Sequence, residues 1–278
     1  MPERPVVGRV LSREREESAK EYAGHSRMKV GVFGLSSGAG VTFLALNLAR
    51  KIANERVLTP AVVELSEGNE GIYGWNYDVI GMDRRFSLRE YFSFYGSVAK
   101  GESIRNKANM DEGVNYALRL PAEPQISLDQ AQLSRLVNNV AGEVILCDFS
   151  ARLSFGETDE VARNLGMKRL LSDMDVILAV VDPMPSKLMG GYKRLELLKT
   201  FACAGKNIVY VINKDNRGVN DRELTGFLKA KRLLRLPLAS VAEQYEAEYN
   251  CRVSGCLPDT RKMLDAKLAR IVESIDLF

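Results

Sequence analysis

Residues Ser36-Ser-Gly-Ala-Gly-Val-Thr42 are a run of small residues ending in a hydroxyl, the pattern best suited to holding an anion. Small residues let consecutive backbone N–H groups turn inward onto a phosphate, and a helix that starts there adds the positive end of its dipole. Gly38, Gly40 and Thr42 fit such a cradle. Before it stands the apolar Lys29-Val-Gly-Val-Phe-Gly-Leu35, and after it Leu44, Leu48 and Ile52 recur at helical spacing. The stretch predicts strand, tight loop, helix.

A working nucleoside triphosphatase loop reads Gly-x-x-x-x-Gly-Lys-[Ser/Thr], with the lysine on the outer phosphates and the hydroxyl on magnesium. Setting Gly40 and Thr42 on that pattern puts Leu35 at the first glycine and Val41 at the lysine. The expectation is a cradle whose mouth offers no side-chain ammonium. Two further residues end apolar runs. Asp148 closes Glu143-Val-Ile-Leu-Cys-Asp-Phe-Ser150, and an aspartate at the carboxyl end of a parallel strand faces the ligand crevice. Asn213 stands near the end of Asn207-Ile-Val-Tyr-Val-Ile-Asn-Lys214, where a simple strand-ending asparagine is one reading. The GTPase signature Asn-Lys-x-Asp fails there, because Asn216 takes the last position.

The elements that must position these residues alternate along the chain. Strands are expected at 61–65, 115–120, 143–150, 175–183, 207–214 and, edge-like with Pro237, 233–238. Helices are expected at about 87–100, from a Ser127 cap to 140, at 186–203, 221–229, 241–249 and 260–275. This alternation predicts an α/β fold with a mostly parallel, doubly wound sheet in a single domain over 28–278, after a flexible charged leader at 1–27.

Composition narrows the function. The chain has 278 residues, 46% hydrophobic and 27% charged, with a net charge of +3, too small to argue for nucleic acid. His25, the single histidine, lies in the leader and cannot anchor histidine-based catalysis. Four cysteines form no Cys-x-x-Cys pair, so Cys147 and Cys203 read as buried thiols of a reducing compartment. Cys251 with Cys256 as a metal or disulfide pair is the alternative. No membrane span or signal peptide is expected, which places the protein in the cytoplasm. Between 71 and 105 aromatics (Tyr73, Trp75, Tyr77, Phe86, Tyr91, Phe92, Phe94, Tyr95) interleave with Arg84, Arg85 and Arg89. They suit a face packed on the sheet or on a protein partner, with base stacking as the alternative.

The loop, its Leu46-Asn-Leu-Ala49 continuation and several later segments resemble the MinD/ParA branch of P-loop ATPases. That resemblance implies the P-loop NTPase fold, binding of ATP with Mg2+, homodimerisation and protein partners. It assigns Ser36, Ser37, Gly38, Ala39, Gly40, Val41, Thr42, Phe43 and Asn213 to the nucleotide, with Asn213 on adenine, and Thr42 and Asp148 to the metal. Asp148 matches the Walker B aspartate. The family's early "signature" lysine, which crosses the dimer to the partner's phosphates, is replaced by Ser36, and its Asp-x-Asp by Glu64 and Ser66. Its γ-phosphate switch is replaced by Phe149-Ser150-Ala151. A charge-assisted hydrogen bond contributes roughly 1.5–3 kcal/mol, so two missing lysines imply nucleotide affinity lower on the order of a hundredfold or more.

The chain is therefore similar to atypical, TadZ-like members of that family. The function expected is a weakly nucleotide-binding, non-hydrolysing scaffold or positioning factor for a bacterial cell-envelope or pilus/secretion apparatus. The alternative is a slow ATPase acting as a spatial or segregation switch, with its cation from Lys214, Arg217 or a partner. DNA segregation would use the basic side of the last helix, Arg261, Lys262, Lys267 and Arg270. MinD-type proteins end in an amphipathic membrane-targeting helix, so the apolar face Leu264, Leu268, Ile271 and Ile275 implies peripheral membrane contact or ordinary packing on the sheet.

Overall fold

A computed structural model describes residues 27–55, 58–65, 92–119, 126, 128–149, 168–216, 218–230, 232–250 and 253–275. The leader, the aromatic stretch before 92, Ser66, Ser127, Ser150, Ala151, Arg217 and Cys251 lie outside them.

Strand β1 (Met28–Gly34) shows why the sheet is covered on both faces. Val30 and Val32 point to one side with 0% exposure, while Phe33, 1% exposed, points to the other. The same β-branched, two-sided burial recurs in β2 (Pro60–Glu64), β5 (Val144–Phe149) and β6 (Val176–Val181), whose residues are all buried. With β3 (Met110–Asp111), β4 (Val114–Ala117), β7 (Asn207–Asp215) and β8 (Leu233–Pro237) they form one sheet in the order β3-β4-β2-β5-β1-β6-β7-β8. Every pairing is parallel except β3 with β4. β8 is an edge strand, as Pro237 requires, and β3 is the other.

Helix α1 (Val41–Glu55) and the last helix, α8 (Pro258–Ser274), which follows α7 (Val241–Tyr249), cover one face with Leu44, Leu48, Ile52, Leu264, Leu268 and Ile271. The opposite face packs against α2 (Phe94–Ala99), α3 (Gln130–Asn139), α5 (Tyr192–Cys203) and α6 (Asp221–Leu228), through Phe94, Leu136, Leu195 and Leu224. The doubly wound expectation holds. Phe94 and Tyr95 are core residues, so this part of the aromatic stretch packs on the sheet.

Several boundaries moved for physical reasons. The helix expected at 186–203 divides into α4 (Pro185–Gly190) and α5 at Gly191, where any Cβ would sit 2.5 Å from the Leu35 carbonyl oxygen. Helix α3 is capped by Asp129, in a reciprocal box with Gln132, rather than by Ser127. Ser93 caps the helix of the aromatic stretch, whose described part is only α2. Cys147 is buried, and burial pushes its thiol up to about 12, the mark of an inert structural cysteine. Cys203, expected to be buried, is exposed at the end of α5.

Of the two readings of the last helix, packing on the sheet is the one found. Leu264, Leu268, Ile271 and Ile275 are 1%, 5%, 0% and 0% exposed, and α8 lies on β8 and α1, so its apolar face is core and cannot meet lipid. Among the described residues no helix is long and apolar enough to cross a membrane. Leu264→Ala is expected to destabilise the fold by about 2–5 kcal/mol, read from the urea midpoint. A helix held ready for a membrane would show no such loss.

Candidate phosphate-binding site

The sheet order brings the carboxyl ends of β1, β5, β6 and β7 together, the crevice where α/β sheets take ligands. From β1 the chain makes one more ladder bond, Leu35 N–H to the Val180 carbonyl at 2.9 Å, and turns into the loop. The turn needs left-handed backbone at two positions, Gly38 (φ 73°) and Gly40 (φ 95°), which explains the two glycines. The Gly40 carbonyl then accepts from Leu44 N–H at 3.0 Å, and α1 begins at Val41. Strand, loop and helix stand as the sequence implies.

Each residue assigned to the nucleotide can now be placed. Ser37 and Gly38 are exposed at the lip, and nothing lies within 4 Å of where a Gly38 Cβ would be. Ser36 is buried, and its hydroxyl has no partner among the described residues. Ala39 and Val41 are buried in the α1 face of the core, and Val41 folds back so closely on Gly34 that a Cβ there would lie 2.8 Å from its Cγ2. An apolar side chain thus fills the place of the catalytic lysine. Phe43 packs half-buried against the same core.

Thr42 and Asp148 meet. The Thr42 hydroxyl donates to Asp148 Oδ2 at 2.6 Å. Asp148 sits in register between Val32 of β1 and Glu64 of β2, fully buried. Burial, with the nearby Glu64 charge adding and the Thr42 bond opposing, pushes its carboxyl up to about 7. Asp148 Oδ1 has no hydrogen-bond partner among the described residues. A hydroxyl beside a carboxylate with a spare oxygen is the donor set of a Mg2+ that keeps several waters and borrows phosphate oxygens. No group of three His, Cys, Asp or Glu suited to a metal occurs among the described residues, so the ion would depend on the phosphate.

Asn213 is buried against the loop. Its Nδ2 donates to the Ala39 carbonyl at 2.8 Å, and a Cβ on Gly40 would overlap that same nitrogen. Three cations complete the pattern, Lys214 named from the sequence as a candidate and Arg194 and Lys187 revealed by no motif. Arg194 on α5 donates to the Gly34 carbonyl at 3.1 Å, and burial draws its guanidinium below the usual arginine value. Lys187 on α4 reaches the Ser37 carbonyl at 3.4 Å. Lys214 donates to the Gly38 carbonyl at 2.7 Å and to Asp182 Oδ2 at 2.8 Å. The expectation of a mouth without an ammonium is therefore corrected, because tertiary folding brings two to the loop from outside its sequence. Lys214 reaches the loop from a left-handed residue (φ 58°) at the register shift that ends β7, a conformation no sequence pattern announced.

Beneath the site Glu64 is wholly buried. Its Oε2 accepts from Arg119 N–H at 3.1 Å, and its carbonyl accepts from the Tyr95 hydroxyl. The Arg119 guanidinium, 4% exposed, lies 5.8 Å from the Tyr95 ring. Glu64 is thus bound into the floor of the site, and Ser66, which matches the second position of the family's Asp-x-Asp, lies outside the described residues.

No protein-family model matches the sequence, nor does any curated protein. Solved structures do match the fold. The cell division ATPase MinD of Pyrococcus furiosus aligns with a TM-score of 0.64 at 17% identity, over 90% of this chain and 100% of that one. The septum site-determining protein MinD of Pyrococcus horikoshii, complexed with Mg-ADP, aligns at 0.62 and 18%, over 90% and 96%. A ParA family ATPase from Chlorobium tepidum aligns at 0.61 and 14%, over 89% and 98%. The chain has the P-loop fold of the MinD and ParA ATPases.

Proposed function

We propose that this chain, built on the fold of the MinD and ParA ATPases, binds nucleotide phosphates weakly at residues 36–43 without hydrolysing them. In this reading it serves as a scaffold or positioning factor for a bacterial cell-envelope or pilus/secretion apparatus, from the cytoplasm. One observation carries it: the left-handed turn at Gly38 and Gly40 and the Thr42–Asp148 pair are in place, while Val41 stands at the lysine's position with an apolar side chain turned into the core. The Mg-ADP in the Pyrococcus horikoshii relative supports ATP or ADP with Mg2+ as the ligand. Thr42 and Asp148 would hold the ion, which would screen phosphate charge. With Val41 at the lysine's position the loop itself puts no cation on the transferring phosphoryl, where a well-placed one contributes about 10³–10⁵ in rate.

A homodimer and protein partners belong to the same reading. Met184, Met189 and Tyr192 are 57%, 69% and 50% exposed around Lys187, an apolar rim beside the loop that supports a second copy covering it. A slow ATPase is the second reading, and the Lys214 ammonium beside Gly38 favours it. Against that, Asp182 neutralises Lys214. A DNA-binding role gains little, since Asp259, Asp265 and Glu273 interleave with Arg261, Lys262, Lys267 and Arg270 on α8.

Titration of the purified protein with ATP and ADP, with and without magnesium, followed by a phosphate-release assay, tests the proposal. Weak, magnesium-dependent binding with no turnover is expected. Tight binding with sustained phosphate release overturns it in favour of the ATPase.

A further inference from the structure

Of the three described cations that meet the loop, two are committed to the fold. Arg194 is largely buried beneath β1, and Lys214 is held by both the Gly38 carbonyl and the Asp182 carboxylate. Lys187 differs in each respect. It is exposed, it stands on a helix with no buried residue, and it has no carboxylate partner among the described residues. Its one recorded bond, 3.4 Å to the Ser37 carbonyl, is longer than a good N–H···O bond. An ammonium carries three donors and gains more from an anionic oxygen than from a neutral carbonyl.

Position adds to availability. Ser37 and Gly38 form the exposed lip of the cradle, and Lys187 reaches that lip from outside. Opposite it, Val41 is folded into the core and contributes no charge. A phosphate seated on the loop's N–H groups would leave its outer oxygens at the lip, within the sweep of a lysine that has no carboxylate partner among the described residues and a flexible four-carbon stem.

We propose that Lys187 is the phosphate-contacting cation of this site, leaving the Ser37 carbonyl for the outer oxygens of a bound nucleotide. The assignment rests on the reading of residues 36–43 as a phosphate site, and it puts the missing loop charge on α4. Lys214, by contrast, is a buttress of the loop.

Calorimetric titration of wild type, Lys187→Met and Lys187→Arg with ATP and with tripolyphosphate, at fixed magnesium, tests it. Lys187→Met is expected to weaken both ligands about ten- to a hundredfold, the loss of one charge-assisted bond, with an unchanged thermal midpoint. Lys187→Arg keeps the charge and is expected to bind close to wild type. Equal affinity in wild type and Lys187→Met overturns the assignment, as does an equal loss in both variants. A wild-type protein that binds neither ATP nor tripolyphosphate overturns the phosphate-site reading and this assignment together, so the two failures are distinct.

Discussion

Asp148→Asn is expected to stabilise the ligand-free protein at pH 8 while abolishing magnesium-dependent nucleotide binding. The carboxyl lies fully buried at the end of β5, and burial raises it from 3.8 to about 7. Below the unfolded value it is protonated in both states and costs nothing. Between the two values the unfolded chain releases the proton that the folded chain keeps, so stability falls as pH rises. Above about 7 the loss is complete, at about 4 kcal/mol for a shift of this size.

Asparagine removes that pH dependence and can still accept from the Thr42 hydroxyl. Its second amide group takes the place of the unpartnered Oδ1 and costs about 1–3 kcal/mol unsatisfied, leaving a net gain of about 1–3 kcal/mol at pH 8. Urea unfolding of both proteins at pH 5 and pH 8 measures this, and a variant less stable than wild type at pH 8 contradicts it. The ionised carboxylate is also the form that a cation takes. Magnesium-dependent binding by the wild type is therefore expected to strengthen as pH rises through about 7.

Gly40→Ala is expected to cost both stability and ligand binding, and Gly38→Ala much less stability. Both glycines have positive φ, so each alanine incurs the left-handed backbone penalty of about 1–2 kcal/mol. Only at Gly40 does the new Cβ also collide with Asn213 Nδ2, breaking its bond to the Ala39 carbonyl inside the core. A broken buried bond adds about 1–3 kcal/mol, for a total of about 2–5 kcal/mol. Asn213→Gly in the Gly40→Ala background removes the obstacle, so the double variant should lose less than the sum of the singles. Additive losses in unfolding free energy would sink this account. The corollary is practical. Replacing Gly40 does not separate ligand binding from folding, because the same atom position serves both.

Arg194, Lys187 and Lys214 on the carbonyls of Gly34, Ser37 and Gly38 bring positive charge to a loop that carries none of its own. Replacement of the lysine by Val41 removes a charge from the loop's own sequence and adds apolar packing between α1 and β1. The surrounding strands and helices restore positive charge behind and beside the loop. Electrostatically the site is less empty than its motif, though Arg194 and Lys214 are placed to hold backbone, and only Lys187 stands free enough to turn to a phosphate.

Much was legible in the chain itself. The buried strands could be read because parallel strands covered on both faces must be continuous apolar, β-branched runs, a property of consecutive residues. The cradle could be read because left-handed backbone at 38 and 40 demands glycine, and Asp148 because it ends such a run. These features depend on near neighbours in sequence. What only the tertiary structure decided joins residues 150 to 176 positions apart: Lys187 with Ser37, Arg194 with Gly34, Asn213 with Ala39, Lys214 with Gly38. It also broke the helix at Gly191 against the Leu35 carbonyl and put the apolar face of α8 into the core instead of on a surface. An amphipathic stripe has the same period whether protein or lipid covers it, and a lysine has the same identity whether or not a carboxylate faces it. Only the packing of α8 on β8 and α1, and of β6, β7, α4 and α5 around β1, determines which.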